Sequence, residues 1–218
     1  MKIRVFNLIV LDASGSMWSI QKQAMDGVNE TIQTIRSAQQ KAENQEHFAS
    51  LVVFNSDAIK TVYDCVPAME IKELTAEDYV PNACTPLYDA IGKGISDLRK
   101  HVAESDMVLV TIVTDGYENS SKEFNRDSIG RLIEDLKQKN WVFTYMGANQ
   151  DVFKVGKELH IDAVMAFEAS PCGTDMLFKK ESARRAKFMS SLQCCLCEED
   201  VQYLKNKASK DYFKDDED

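Results

Sequence analysis

Three short apolar runs stand out along the chain, at residues 5–11, 107–113 and 141–146. Each run is rich in β-branched side chains and nearly continuous, so it lacks the alternation of apolar and polar positions that marks a half-exposed strand. Continuous runs of this kind are typical of strands that are covered on both faces. We therefore expect three buried strands. Weaker strand candidates lie at residues 48–54, 59–66 and 163–167.

The segments between these runs carry apolar residues mostly at every third or fourth position, which predicts amphipathic helices. The predicted helices cover residues 20–42, 85–101 and 127–139. The C-terminal segment 174–210 is also expected to be mainly helical. Its expected apolar anchors are Leu177, Phe178, Ala183, Ala186, Phe188 and Leu192.

Strands that alternate with helices of this length predict β-α-β units and an α/β fold built on a doubly wound, mostly parallel sheet. No internal repeat, Gly/Ser linker or low-complexity block interrupts the pattern. We therefore expect a single domain over residues 1–197. A charged C-terminal extension, partly helical or frayed, is expected at residues 198–218.

Composition narrows the classes of function. The chain has 218 residues, of which 44% are hydrophobic and 28% charged, as is usual for a globular protein. Its net charge of −9 makes it a poor candidate for binding a phosphate backbone, so we expect no nucleic-acid partner. The basic residues of the last helical segment are expected to form a solvated face: Lys179, Lys180, Arg184, Arg185 and Lys187.

Neither a signal peptide nor an apolar stretch of roughly 18 residues, the length of a membrane span, is visible in the sequence. We therefore expect a cytoplasmic protein with no membrane partner. The six cysteines are then expected to be reduced thiols. Three of them cluster at Cys194, Cys195 and Cys197; incidental or structural thiols are the favoured interpretation, with a metal or redox cluster as the alternative.

Two of the buried strands end in a carboxylate. Asp12 directly follows the first run, and Asp115 follows the second run after Thr114. Parallel strands place their carboxyl ends at one edge of a sheet, which is where open α/β sheets bind ligands. We therefore expect Asp12 and Asp115 to converge although they are far apart in the sequence.

The loop after the first strand carries oxygen-bearing side chains at every second position: Asp12, Ser14 and Ser16. In an extended loop alternate side chains point the same way, and Gly15 lets the loop turn tightly. Carboxylate and hydroxyl oxygens suit hard cations such as Mg²⁺ or Mn²⁺. Trp18 follows this loop and is expected either at its rim or in the core.

Thr85 stands before Pro86 at the start of a predicted helix. A threonine in this position is commonly an N-cap, so the position alone does not indicate a metal ligand. Cys84 precedes it and is expected to be a small buried filler.

Taken together, Asp-x-Ser-x-Ser at 12–16, Thr-Pro-Leu-Tyr-Asp-Ala at 85–90 and Thr-Asp-Gly at 114–116 closely resemble the von Willebrand factor type A (VWA) family and its metal-ion-dependent adhesion site. The segment 143–151 is also similar to a stretch of small stand-alone bacterial members. The resemblance extends over residues 3–168. It implies a Rossmann-like sheet of six strands, one of them an antiparallel edge, with helices on both faces.

The resemblance further implies that Asp12, Ser14, Ser16, Thr85 and Asp115 hold one divalent cation, Mg²⁺ with Mn²⁺ or Ca²⁺ as substitutes. The three hydroxyls would contact the metal directly, and the two carboxylates would act through water. A shell of neutral hydroxyls leaves the cation seeking an anionic oxygen. The implied function is metal-dependent binding of a protein partner that offers an Asp or Glu carboxylate, without enzymatic activity. In the family the final helix can shift when the metal changes ligands, and such a shift of the segment 174–210 is an open hypothesis here.

Two other functions remain open. A metal-dependent phosphoryl hydrolase would use Asp12 as its nucleophile. The general acid that such an enzyme needs two residues further on is replaced by Ser14, which cannot protonate a leaving group near neutral pH. A degenerate domain, in which the fold serves only as a scaffold, would bind no metal.

Overall fold

The computed structural model describes residues 2–148, 151–195 and 197–213. The expected fraying of residues 214–218, and positions 149 and 150 of the segment that resembles bacterial members, lie outside the described residues. Six strands form one sheet in the order β3-β2-β1-β4-β5-β6. The strands are β1 (Ile3–Asp12), β2 (Gln45–Phe54), β3 (Ile59–Pro67), β4 (Met107–Thr114), β5 (Trp141–Gly147) and β6 (Ala163–Ala166).

All neighbouring strands run parallel except β3, which pairs antiparallel with β2 at one edge. The expected α/β fold, with a mostly parallel six-stranded sheet and helices on both faces, is therefore confirmed. The strand order reverses between β1 and β4, which places the carboxyl ends of these two central strands side by side. This is the point at which open α/β sheets form a ligand crevice.

Within the described residues six α-helices cover the sheet: α1 (Gln21–Lys41), α2 (Leu87–Leu98), α3 (Arg126–Lys137), α4 (Val152–Glu158), α5 (Pro171–Gln193) and α6 (Glu198–Asp211). Local sequence fixes several of their ends. Asn125 caps α3 by accepting a hydrogen bond from the Ser128 amide, and Ser170 caps α5 ahead of Pro171. Within the described residues, no helix is long and apolar enough to cross a membrane.

Alternate residues of β1 face opposite sides of the sheet. Phe6, Leu8 and Val10 pack in one core with α2, α3 and α4. Ile9 and Leu11 face α1 and α5 on the other side, and α6 packs on that same side near the start of β1. The side chains of Val201 and Ala208 in α6, and of Tyr212 directly after it, are buried against the strands. The expected division of the chain at residue 197 stays a prediction.

Helix α5 differs from its expected pattern because part of its buried face is polar. Glu181 and Arg185 are fully buried, so the expected solvated position of Arg185 is wrong. Ala183 and Ala186, expected as anchors, are exposed. Alanine has little apolar area to bury, and a buried ion pair leaves no hydrophobic periodicity in the sequence.

The buried ion pair belongs to a set that we call the Arg185 cluster: Asn7, Thr31, Thr111, Glu181 and Arg185. The Arg185 guanidinium donates to Glu181 Oε1 at 2.8 Å through Nε, to Asn7 Oδ1 at 2.7 Å and to Thr111 Oγ1 at 2.7 Å. Thr31 Oγ1 lies 3.3 Å from the second Glu181 carboxylate oxygen. The cluster therefore joins α1 and α5 to the two central strands.

Candidate metal site

The carboxylate of Asp12 is fixed at the end of β1 by two hydrogen bonds. Its Oδ1 accepts from the Ser14 amide at 2.6 Å, and its Oδ2 accepts from Thr114 Oγ1 at 2.6 Å. Thr114 is the last residue of β4, so this contact links the ends of the two central strands. Asp12 is completely buried.

The two serines of the loop connect Asp12 to Asp115. Ser14 Oγ lies 3.1 Å from Ser16 Oγ, and Ser16 Oγ donates to Asp115 Oδ1 at 2.5 Å. The side chains of Asp12, Ser14 and Ser16 therefore meet at the end of β4, but the expected extended loop is wrong, because a 3₁₀ helix runs over Gly15–Ile20.

Thr85 reaches the same place from the start of α2. The helix begins at Leu87, its N-cap is Pro86, and no side chain caps it, so the interpretation of Thr85 as a helix cap is wrong. Cys84 is exposed, so its expected place as a buried filler is also wrong. The loop that follows β4 holds the backbone of Thr85, because the side-chain oxygen Oδ1 of Asn119 accepts from the Thr85 amide at 2.8 Å.

The three hydroxyls surround one point beside Gly116. A Cβ atom built on Gly116 would lie 3.0 Å from Thr85 Oγ1, 3.4 Å from Ser16 Oγ and 3.5 Å from Ser14 Oγ. The three hydroxyl oxygens therefore converge on Gly116, where a side chain would crowd Thr85 Oγ1. We call the five sequence-predicted residues the edge cluster: Asp12, Ser14, Ser16, Thr85 and Asp115. The structure brings all five together, and their role as metal ligands stays a prediction.

The electrostatics of the edge cluster favour a cation. Burial raises the pKa of Asp12 from 3.8 to about 6, and the neighbouring Asp115 carboxylate adds to the rise, whereas hydrogen bonds from Thr114 and Ser14 oppose it. Burial also raises the pKa of Asp115, against the hydrogen bond from Ser16. Among the residues that the structure describes, no Lys, Arg or His side chain is a group that shifts either pKa. Two buried carboxylates without a positive partner are unfavourable when both are ionised, and a bound cation would remove that cost.

The donor set fits a hard divalent ion better than zinc. It consists of hydroxyl and carboxylate oxygens, which Mg²⁺ and Mn²⁺ prefer. Within the described part of the chain there is no group of three or more His, Cys, Asp or Glu side chains placed to hold a metal. Any cation at the edge cluster would therefore depend on hydroxyls and water as well as on the two carboxylates.

Sequence reasoning missed residues 79–83, which hold the backbone of the loop at residues 12–15. Tyr79 is fully buried and donates through its hydroxyl to the Asp12 carbonyl at 2.9 Å. The Asn82 amide donates to the Ala13 carbonyl at 2.8 Å, and the Gly15 amide donates to the Ala83 carbonyl at 3.0 Å. These hydrogen bonds end on backbone carbonyl oxygens, which every residue type has, so the sequence gives no indication of them.

Two aromatic side chains stand next to the edge cluster in the sequence and are largely exposed. Trp18 follows the serine loop with 65% of its surface exposed, and Tyr117 follows Gly116 with 59% exposed. Trp18 is therefore not in the core, and its position at the rim of the site stays a prediction.

Comparison with known proteins defines the fold. No protein-family model matches the chain, and no curated protein matches it. Among solved structures, the PilB minor pilin from Streptococcus sanguinis aligns with 13% sequence identity and a TM-score of 0.59 over 86% of this chain and 62% of that one. The VWA domain of SpRpn10 aligns with 10% identity and a TM-score of 0.55 over 83% of this chain and 95% of that domain.

The open conformation of the pilus adhesin SpaC from Lactobacillus rhamnosus GG aligns with 13% identity and a TM-score of 0.61, over 86% of this chain and 30% of that one. This chain therefore spans less than two thirds of the pilin structure and a smaller part of the adhesin. At these identities the comparisons establish a VWA-like fold and do not extend to the site.

Proposed function

We propose that this chain is a protein-interaction module that binds its partner through a divalent cation held by Asp12, Ser14, Ser16, Thr85 and Asp115. The observation that carries the proposal is the convergence of three hydroxyl oxygens from two separate loops, which lie 3.0 to 3.5 Å from the position of a Cβ atom built on Gly116. A purely structural role of Thr85 as the N-cap of α2 does not account for this arrangement, because no side chain caps that helix.

The neutral and the charged side chains of the site would have different roles. The hydroxyls of Ser14, Ser16 and Thr85 would contact the ion, while Asp12 and Asp115, held one step back by hydrogen bonds, would orient water and balance charge. A Mg²⁺ ion held mainly by neutral oxygens keeps its demand for one more anionic ligand. An Asp or Glu carboxylate of another protein meets that demand.

The rim supports a protein as the partner. Exposed aromatic side chains are enriched in protein interfaces, and Trp18 and Tyr117 lie next in sequence to the loops that form the site. The rival function, phosphoryl hydrolysis by Asp12, has weaker support. Both oxygens of Asp12 already accept hydrogen bonds and the residue is buried, so an attack on phosphorus would require it to leave its position.

Binding of MnCl₂, followed by the electron paramagnetic resonance signal of free Mn²⁺, tests the proposal. We expect one bound ion per chain in the wild type, competition by MgCl₂, and loss of binding in Thr85→Ala. Partner capture in MgCl₂ with release by EDTA should then fail with Thr85→Ala as bait. A wild-type chain that leaves the Mn²⁺ signal unchanged at millimolar concentrations would refute the proposal.

A further inference from the structure

Thr85 is the one hydroxyl of the edge cluster that lies outside the serine loop, and a single residue holds its backbone on both sides. Asn119 Oδ1 accepts from the Thr85 amide at 2.8 Å, and the Asn119 amide donates to the Thr85 carbonyl at 3.1 Å. Thr85 precedes α2 and so has no helical hydrogen bonds of its own to fix it. Its position therefore depends on the loop that follows β4.

That loop is itself bound tightly to the first turn of α2. The Glu118 carboxylate accepts from the amides of Ser120 and Ser121 at 2.8 Å each, and from the Tyr88 amide at 3.0 Å. Asn119 thus follows a residue that is tied both to its own loop and to the helix that Thr85 precedes.

The Asp89 side chain of α2 fixes the rest of the loop. Its two carboxylate oxygens accept from the amides of Lys122, Glu123 and Phe124 at 2.7, 2.9 and 2.8 Å. Asp89 is 8% exposed, so these bonds are largely shielded from water. The loop therefore forms a rigid support on which Asn119 presents a hydrogen-bond acceptor to Thr85.

We propose that Asn119 is a positioning residue of the cation site: it fixes Thr85 so that its hydroxyl faces the point beside Gly116. The proposal rests on the proposed function, since it concerns the same site. Asn119 comes three residues after Gly116, so one short loop contains both the glycine on which the hydroxyls converge and the residue that holds Thr85. Because Thr85 Oγ1 is the hydroxyl nearest to that point, at 3.0 Å, a small shift of its backbone changes the ligand set.

The chain offers a matched control. Asn29 on α1 holds the backbone of Leu74 with its side chain, since its Oδ1 accepts from the Leu74 amide at 2.7 Å and its Nδ2 donates to the Leu74 carbonyl at 3.0 Å. Asn29→Ala therefore removes comparable asparagine–backbone bonds that do not involve the edge cluster. Asn119→Asp keeps the acceptor oxygen and serves as the conservative variant.

The first test is a Mn²⁺ titration of four proteins: the wild type, Asn119→Ala, Asn119→Asp and Asn29→Ala. Loss of a group that orients a metal ligand weakens affinity by about 10- to 100-fold, and we expect Asn119→Ala to fall in that range. Asn119→Asp should bind at least as tightly as the wild type, and Asn29→Ala should bind like the wild type even if it melts earlier. Wild-type affinity in Asn119→Ala, or an equal loss in Asn29→Ala, would overturn the assignment.

Amide hydrogen exchange in the metal-free proteins separates this assignment from the proposed function. We expect the Thr85 amide to exchange faster in Asn119→Ala than in the wild type, in Asn119→Asp or in Asn29→Ala. If the wild type binds no Mn²⁺, the proposed function fails, and the exchange result still decides whether Asn119 positions Thr85. An unchanged Thr85 amide in Asn119→Ala would overturn the positioning role.

Discussion

Two buried polar clusters lie on the central strands of this protein, and they differ in how their charge is balanced. The Arg185 cluster places one guanidinium against one carboxylate, and Asn7 and Thr111 accept its remaining hydrogen bonds. The edge cluster places two carboxylates among hydroxyls, with no cationic side chain of the described residues among the groups that shift their pKa values. The first cluster pairs its charges within the chain, whereas the second would gain from a bound cation.

This difference separates a structural role from a binding role. A buried ion pair whose charges balance within the chain holds elements together and needs no added ion. Buried carboxylates among hydroxyl oxygens carry an electrostatic cost, and a cation would offset it. We therefore expect the Arg185 cluster to determine stability and the edge cluster to determine the response to divalent metals.

The largest effect is expected from breaking the balanced pair. Arg185→Met leaves Glu181 buried without its partner, which should lower the free energy of unfolding by about 3–5 kcal/mol. Urea denaturation measures the loss. The double variant Glu181→Leu/Arg185→Met removes both charges and should recover much of the stability. Equal stability of Arg185→Met and the wild type would show that the pair is not a structural link.

The second prediction concerns the pH dependence of stability that comes from His47, which lies near Arg185. Burial, with the nearby Arg185 charge, lowers the pKa of His47 from 6.5 to about 4. Between these values the unfolded chain binds more protons than the folded one, so the His47 contribution to stability is complete above pH 6.5 and is lost as the pH falls towards 4. A shift of this size corresponds to about 3 kcal/mol.

The difference between the wild type and His47→Gln isolates that contribution. Urea denaturation between pH 4 and 7 should show the wild type losing its advantage over His47→Gln by about 3 kcal/mol as the pH falls, and subtracting the two curves cancels all other groups that titrate equally in both. Parallel curves would contradict the depressed pKa of His47.

The third prediction tests the edge cluster at Gly116, on which its three hydroxyls converge. Gly116 does not have a positive φ, so alanine fits its backbone, but the new methyl group would occupy the point that the three hydroxyls face. At Mg²⁺ concentrations about 100 times the dissociation constant, bound metal should stabilise the wild type by about 2.7 kcal/mol. Gly116→Ala should lose this stabilisation in thermal melts and still fold without metal. Undiminished stabilisation of Gly116→Ala by Mg²⁺ would place the ion elsewhere.

The smallest effect is expected from a strained residue beside the edge cluster. Ala83, whose carbonyl accepts from the Gly15 amide, has a φ of 61°, a left-handed conformation that costs an alanine about 1 kcal/mol. Ala83→Gly should therefore raise stability by about 0.5–1 kcal/mol in urea denaturation. Ala186→Gly, on the exposed face of α5, should lower it by about 1 kcal/mol. If both glycines destabilise, position 83 is not strained.

The two clusters also mark what sequence reasoning can and cannot provide. The strands β1, β4 and β5 and the edge-cluster residues Asp12, Ser14, Ser16 and Asp115 follow from local patterns, because short apolar runs end in carboxylates and oxygen-bearing residues alternate. Thr85 does not, since only the resemblance to the VWA family implies its place in the site. The Arg185 cluster leaves no such pattern, since a buried ion pair looks like an exposed helix face until the partner strands are known. The hydrogen bonds of Tyr79 and Asn119 are also missed, because these side chains bind backbone atoms of residues that are distant in the sequence.

A crystal structure of the wild type soaked in MnCl₂, with anomalous scattering recorded for manganese, tests the central claim most directly. The account predicts one strong anomalous peak between the hydroxyl oxygens of Ser14, Ser16 and Thr85, with Asp12 and Asp115 contacting its bound waters. Crystals that show no peak there at millimolar MnCl₂, or a peak that none of these hydroxyls contacts, would contradict it.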